Sequence, residues 1–484
     1  MRERTRVLLM FLAAVAAVTV VAATTSCEYT SGVHRQVDEV FADWDSTTTP
    51  GAALGVIREG ELVYARGYGM ADLEHRVPIT PQSVFRIGST SKQFTAFCVA
   101  LLAQEGLLSL DDDIGDYFPE FPDYPEPITV RQLIHHTSGV RDYLMTMMLA
   151  GKRDADWYTD EEVVAMLARQ QQLNFPPGSE HLYSNSGYFL LARLIHRLTG
   201  RTLREFADER IFRPLGMDDT HYHDRFDEVV PDRAVGYAPD PEGGYRISTT
   251  TLEMVGDGGV FTTIEDLVKW DRNFYTHEVG GEAIQELIHT TGTLDDGSEL
   301  EYAFGLVVSD HRGLTMVSHG GSFVGYRAEM IRFPDPEFTV IVLANRSDAN
   351  PTRRALEVAD IYLADVFPEP VEGPSAGEQR EQPGPQEEAE EEPGRRQTLY
   401  PEHLATYAGD YYSPELDATY RIRMEDDTLH VSVGRAFDFP MQWEEEDVFS
   451  ARFMTFRFRK DARGRITGFR LDAGRARDFR FRRR

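Results

Sequence analysis

Cysteine is almost missing from this chain: Cys27 and Cys98 are the two in 484 residues. They can build neither a disulfide framework nor a thiolate metal site, and Cys98 lies in an apolar helical pattern, as a lone core thiol would. Positive charge is also scarce. Fifty Lys and Arg face eighty Asp and Glu, a net charge of -30. A surface of that sign disfavours nucleic acid and anionic lipid and favours solubility. The chain also lacks a second long apolar run: after residue 23, no stretch is long and apolar enough to span a bilayer.

The first such run is at the N-terminus. Arg2, Arg4 and Arg6 precede an uncharged, mostly apolar stretch from Val7 to Ala23, then the small residues Thr24, Thr25 and Ser26 before Cys27. This pattern predicts an export signal over residues 1–27. About 17 apolar residues is the lower limit for a spanning helix, so a retained single-helix anchor is the alternative reading. The small residues ending in Cys27 resemble a bacterial lipoprotein box, which makes Cys27 a candidate lipidation site, although Thr24 stands where Leu is usual. The expectation is an exported protein, periplasmic or extracellular, that meets a membrane only through this signal or a lipid anchor.

Three blocks follow. Residues 32–366 mix the two periodicities. Ala52 to Ile57 and Leu62 to Tyr68 flank Glu59-Gly60 as a hairpin would. Helical spacing then appears in Phe94 to Leu102, Glu161 to Leu167, Tyr188 to Leu198 and Ile264 to Phe274. Phe304 to Val308, Tyr326 to Phe333 and Phe338 to Ala344 read as strands, and Ala355 to Val366 as a closing helix. Strands at both ends with helices between predict an α+β domain whose sheet joins its N- and C-terminal parts. Residues 367–398 hold scattered prolines and the run Glu387-Glu388-Ala389-Glu390-Glu391-Glu392 with almost no apolar residue, the composition of an extended linker. Residues 400–484 alternate with period two through Tyr420, Ile422 and Met424, Leu429, Val431 and Val433, and later Phe456, Phe458, Phe479 and Phe481, which predicts a small antiparallel β-barrel or half-barrel. From Ala451 onward thirteen Lys and Arg face three Asp and Glu. Docking onto the acidic first block and plain solvated strand faces both account for that charge. With apolar patterns of their own, the first and last blocks are each expected to fold alone, as two fragments on either side of the linker.

Three motifs in the first block bear chemistry. Gly88-Ser89-Thr90-Ser91-Lys92 precedes a helix, and a three-residue spacing puts Ser89 and Lys92 on one face. A serine hydroxyl is a poor nucleophile until a base takes its proton, and a lysine serves once desolvation lowers its pKa. Tyr183-Ser184-Asn185 sits on a short loop before a helix, where the phenol can move a proton and the amide can orient an amine and bind substrate. Ser318-His319-Gly320-Gly321-Ser322 ends a strand-like run whose glycines admit a substrate beside the backbone, with His319 a donor that is partly charged near neutral pH. Taken singly, each motif has an ordinary reading: a helix cap, a loop aromatic, a hairpin turn.

Together, in this order and spacing, they resemble the serine β-lactamase and penicillin-binding protein superfamily, in its class C β-lactamase-like branch of esterases, D-aminopeptidases and DD-peptidases. Leu133 to Gly139, Phe175 to Leu191, and Gly258 to Thr263 before Asp266 resemble supporting stretches of that family. The resemblance implies an antiparallel sheet flanked by helices with a helical subdomain. It implies Ser89 as acylated nucleophile, Lys92 and Tyr183 as proton-transfer partners, and Asn185, His319, Gly320 and Gly321 as substrate-binding residues. The backbone N–H groups of Ser89 and Ser322 would form the oxyanion hole, His135 and His136 would be structural, and no metal or cofactor is called for. His319 departs from the Lys usual in true β-lactamases, which resembles the esterase and D-aminopeptidase members more. The expected partner is a small-molecule or peptide substrate, cleaved at an ester or amide bond. The alternative is a catalytically idle receptor for cell-wall peptides or lipids that keeps the fold.

Overall fold

The computed structural model describes residues 32–153, 156–368 and 401–484. The expected export signal with Cys27 and nearly all of the expected linker therefore lie outside the described residues. Among those described, no helix is long and apolar enough to cross a membrane.

The first block is built on a six-stranded antiparallel sheet. Its strands are β1 (Ala52–Arg58), β2 (Glu61–Tyr68), β3 (Val307–His311), β4 (Leu314–Phe323), β5 (Tyr326–Phe333) and β6 (Phe338–Ala344), in spatial order β3-β4-β5-β6-β1-β2. The N-terminal hairpin thus pairs with the C-terminal strands, as expected, Ala52 opposite Ala344 and Arg58 opposite Phe338. The central strands are continuous apolar runs because both faces are covered. Leu54, Val56, Val340 and Val342 pack with Val37, Phe41, Val358 and Leu363, from the helices α1 (residues 32–40) and α6 (Pro351–Tyr362) and the chain just beyond each. Ala53, Ile57, Ile341 and Leu343 face the other way, into a core shared with α2 (Lys92–Gln104), α4 (Asn185–Thr199) and α5 (Ile264–Thr276).

Two details differ from the sequence reading. The strand expected over Phe304 to Val308 begins only at Val307. Gly305 takes φ +71° against the Lys92 backbone, where a Cβ would come within 2.5 Å of Lys92 C, so this segment is a turn that supports α2. The ten-residue β4 was foreseen only as a short run, since Ser318 to Ser322 looks polar and glycine-rich although neighbours cover both of its edges.

The last block is a nine-stranded antiparallel sheet: β7 (Gly409–Ser413), β8 (Ala418–Glu425), β9 (Thr428–Val433), β10 (Phe437–Pro440), β11 (Gln442–Glu445), β12 (Val448–Ala451), β13 (Met454–Lys460), β14 (Ile466–Ala473) and β15 (Ala476–Arg483). The order β10-β9-β8-β7-β15-β14-β13-β12-β11 curls into a nearly closed barrel with its seam between two strands adjacent in the chain. Tyr420, Ile422, Val431, Phe456, Phe458, Phe479 and Phe481 fill its core. Of the fifteen barrel arginines, Arg421, Arg423, Arg457, Arg465 and Arg470 pair with carboxylates of the barrel and Arg477 reaches Glu180 of the first block, while the other nine are exposed. Solvated faces therefore account for most of the basic charge.

The barrel is joined to the first block by the short helix α3 (Tyr143–Leu149). Leu149 belongs to the barrel's own apolar cluster, and the Tyr420 hydroxyl donates to Leu149 O at 2.8 Å. Just before α3, Arg141 is fully buried and donates to Glu415 at 2.8 Å, to Gln170 Oε1 at 2.9 Å and to Arg477 O at 2.8 Å, with its guanidinium 4.3 Å from the Phe479 ring centre.

Candidate active site

Ser89 sits in a tight turn, Gly88–Ser91, that runs straight into α2. The turn is held from three sides. Ile87 N donates to Val260 O at 3.0 Å, Val260 N to Ser91 Oγ at 3.1 Å, and Thr90 Oγ1 to His319 O at 3.0 Å. Glycine is required where β4 meets this turn. A Cβ on Gly321 would stand 1.9 Å from Ile87 O, and one on Gly88, at φ +52°, 2.9 Å from Ser322 N. That close approach brings the Ser322 amide beside the Ser89 turn.

The Lys92 ammonium is fully buried and has three acceptors: Ser89 Oγ at 3.1 Å, Asn185 Oδ1 at 2.9 Å and Asp257 O at 2.5 Å. Burial holds its pKa below the ordinary lysine value, opposed by the charges of Asp257 and Asp142. A lysine so placed reaches its neutral, proton-accepting form at lower pH than an exposed one. Asn185 is fixed in turn by Asp142, whose Oδ2 accepts from Asn185 N at 2.8 Å and Nδ2 at 2.9 Å while Oδ1 caps α3 through Met145 N at 3.0 Å. Asp257 is also buried, and burial raises its carboxyl pKa. Lys92 opposes that rise, and the Tyr143 hydroxyl donates to it at 3.2 Å.

Tyr183 places its ring 4.8 Å from Lys92 Nζ and 4.2 Å, centre to centre, from the His136 ring. Its hydroxyl is buried without a hydrogen bond of its own. Burial raises its pKa, and the neighbouring Ser89 hydroxyl offsets part of the rise. His136 Nδ1 accepts from Ser184 N at 3.2 Å and so supports the Tyr183 loop, while His135 Nδ1 donates to Tyr302 O at 3.1 Å and holds the Tyr302 segment.

His319 does not match the expectation of a partly charged donor. It is 6% exposed, its Nδ1 donates to Gly320 O at 2.7 Å, and its Nε2 accepts from the Tyr302 hydroxyl at 3.1 Å. Burial, with Lys92 nearby, pushes its pKa down to about 4. The imidazole is neutral near neutral pH and both nitrogens are engaged. Three residues that order this site were not singled out from the sequence. Asp142 follows the Ser138-Gly139 stop, Asp257 is the lone carboxylate among Gly256, Gly258 and Gly259, and Tyr302 carried no motif.

The site thus brings Ser89, Lys92, Tyr183, Asn185, His319, Gly321 and Ser322 together around one turn. Residues 37–364, more than half of the chain, match the family model described as Beta-lactamase. The chain belongs to the beta-lactamase family. Within that family it is 30% identical over 301 residues to a D-aminopeptidase of Gluconobacter oxydans, covering 62% of this chain and 56% of that protein. It is also 30% identical over 332 residues to penicillin-binding protein 4* of Bacillus subtilis, covering 65% and 72%. The chain therefore spans just over half the length of the D-aminopeptidase it matches. A penicillin-binding protein homologue from Pyrococcus abyssi shares its fold with a TM-score of 0.61 at 24% identity, over 93% of this chain and 99% of that one. That coverage takes in the barrel as well as the beta-lactamase part.

A cavity of about 120 Å³ opens between α3 and the end of β4, lined by Leu144, Met147, Met148, Leu252 and Phe323 with Lys152 and other polar residues. Among the described residues, His221, His223 and Glu228 hold ligand atoms within 4.8 Å of one another. The Glu228 carboxylate there is already gripped by Arg204 through two hydrogen bonds of 2.6 and 2.7 Å.

Proposed function

We propose that the protein is a serine acyl-hydrolase that cleaves an ester or amide through a covalent acyl-Ser89 intermediate. The observation that supports it is the desolvated Lys92 amine 3.1 Å from the Ser89 hydroxyl and held by Asn185. Neutral Lys92 takes the Ser89 proton as Oγ attacks the carbonyl carbon, and the N–H groups of Ser89 and Ser322 stabilise the oxyanion. Collapse of the adduct expels the leaving group, which receives a proton through Tyr183. Water, losing its proton to the same Lys92–Tyr183 pair, then attacks the acyl carbon and frees Ser89. The similarity to a D-aminopeptidase makes amides and esters of D-configured residues the first class to assay. The cavity lined by Met147, Met148 and Phe323 is a place for an apolar side chain. Export by residues 1–27, with a lipid on Cys27, belongs to the same proposal and rests on the N-terminal pattern alone.

The test is labelling of the purified protein with a fluorophosphonate and a fluorescent penicillin, read by mass spectrometry. An adduct on the peptide containing Ser89, absent in Ser89→Ala, is expected. Labelling of Ser89→Ala at the same stoichiometry would remove Ser89 from the role. No adduct and no hydrolysis of any ester would favour the idle-receptor reading.

A further inference from the structure

A substrate that carries a negative charge needs a cation at the site, and neither His319 nor Lys92 of the first block offers a free one. His319 is neutral and engaged, and Lys92 is buried with all its donors directed to acceptors within the site. A cation does reach the mouth of the site, from the barrel. The turn between β14 and β15 brings the exposed Arg475 over Tyr183, with its guanidinium carbon 4.7 Å from the ring centre. Among the described residues Arg475 has no ion-pair partner, whereas Arg477, two residues on, is paired with Glu180 at 3.1 Å.

The turn is built into place. Arg475 O accepts from Asp142 N at 3.2 Å and from Asn174 Nδ2 at 2.9 Å, and Arg477 N donates to Asn174 Oδ1 at 2.8 Å. Asp142 is the residue that fixes Asn185, so the barrel turn and the lysine-orienting amide share one anchor. The Arg475 charge is felt inside: beneath the larger effect of burial, it acts on Lys92, on Tyr183 and on His136.

We propose that Arg475 is a substrate-binding residue that pairs with a carboxylate on the leaving-group side of the scissile bond. This deepens the acyl-hydrolase reading and rests on it, because the side is assigned from the role of Tyr183 in protonating the leaving group. A guanidinium stacked on an aromatic face keeps its outward N–H fork free for a planar anion, and an unpaired, oriented fork is what bidentate carboxylate recognition needs. The substrates so selected are acyl donors whose departing part ends in a carboxylate, as the C-terminal residue of a peptide does.

The experiment compares two thioesters, N-benzoylglycyl thioglycolate and its neutral methyl ester, with the full-length protein. The quantity read is the ratio of kcat/KM for the charged compound to that for the neutral one. Arg475→Gln should lower that ratio by about tenfold or more, the scale of a charge-assisted pair, and Arg475→Lys should keep part of it. An unchanged ratio in Arg475→Gln overturns the proposal, as does a wild-type protein that treats the two compounds alike. Binding of both thioesters to Ser89→Ala, with and without Arg475→Gln, reads recognition without turnover. If wild type neither labels nor hydrolyses yet Ser89→Ala loses its preference for the carboxylate with Arg475, the hydrolase reading falls and anion recognition stands. If turnover is normal and the preference is unaffected, Arg475 falls and the hydrolase reading stands.

Discussion

Replacing Lys92 with Met separates what the buried amine does for catalysis from what it does to stability. Met keeps most of the volume but can neither accept the Ser89 proton nor donate to Asn185 Oδ1 and Asp257 O. Loss of a positioned general base removes about 10²-fold or more in kcat, which is about 2.7 kcal/mol of barrier. The stability effect has two opposing parts. Two buried acceptors lose their donor, at about 1–3 kcal/mol each, while the desolvation of a buried charge is relieved. The net change in Tm near neutral pH is therefore small, and the signature lies in its pH dependence. The folded pKa of Lys92 is held below 10.5, so between the folded value and 10.5 the unfolded chain binds more protons than the native one. Wild-type stability then rises with pH across that window by about 1.4 kcal/mol per unit of lowering, and the rise is missing in Lys92→Met. The assays are p-nitrophenyl ester hydrolysis and thermal melts from neutral to alkaline pH. Adding Tyr183→Phe to Lys92→Met should cost far less than the two single losses multiplied, because the two act as one proton-transfer unit. A Lys92→Met protein with more than about a tenth of wild-type kcat, or with the wild-type pH slope of Tm, refutes the reasoning.

Three further outcomes are expected. Arg141→Ala leaves Glu415 buried and unpaired and should destabilise the protein by about 3–5 kcal/mol in urea unfolding, whereas loss of an exposed pair such as Arg423–Asp438 should cost under about 1 kcal/mol. Glu329 is buried beside Gly320, burial pushes its pKa up to about 7, and one carboxylate oxygen has no partner. The native state holds that proton more tightly than the unfolded chain, so stability should fall as pH rises from its ordinary value of 4.5 through about 7, and Glu329→Gln should flatten the fall in melts across that range. With the His319 pKa at about 4, selectivity for charged over neutral thioesters should show no step near pH 6.5, and a step that disappears in His319→Gln would restore the histidine as the anion contact.

Much of this was legible in the sequence because the signals were local. Ser89 and Lys92 are three residues apart, across the turn that enters α2. Tyr183 and Asn185 flank the start of another helix, and the barrel strands alternate cleanly through Phe456, Phe458, Phe479 and Phe481. What escaped depends on contacts far apart in the chain. The state of His319 is set by Tyr302 and by burial under neighbouring elements, neither of which its flanking glycines reveal. Asp142 acts on Asn185 across 43 residues. Arg475 reads as one of thirteen basic residues until the turn that bears it is seen to rest on Asp142 and Tyr183.

Helix α3 has a mechanical consequence. Its first turn is tied to Asp142 and through it to Asn185 and Lys92, and its last residue, Leu149, is sunk in the barrel core. Seven residues thus form a strut with one foot in each module, too short to bend and buried at both ends. Tilting the barrel would drag on the amide that aims the lysine, and melting the site would pull a plug from the barrel. Despite their separate apolar patterns, the two modules should therefore unfold as a single cooperative unit, with one calorimetric transition where two independent modules would give two.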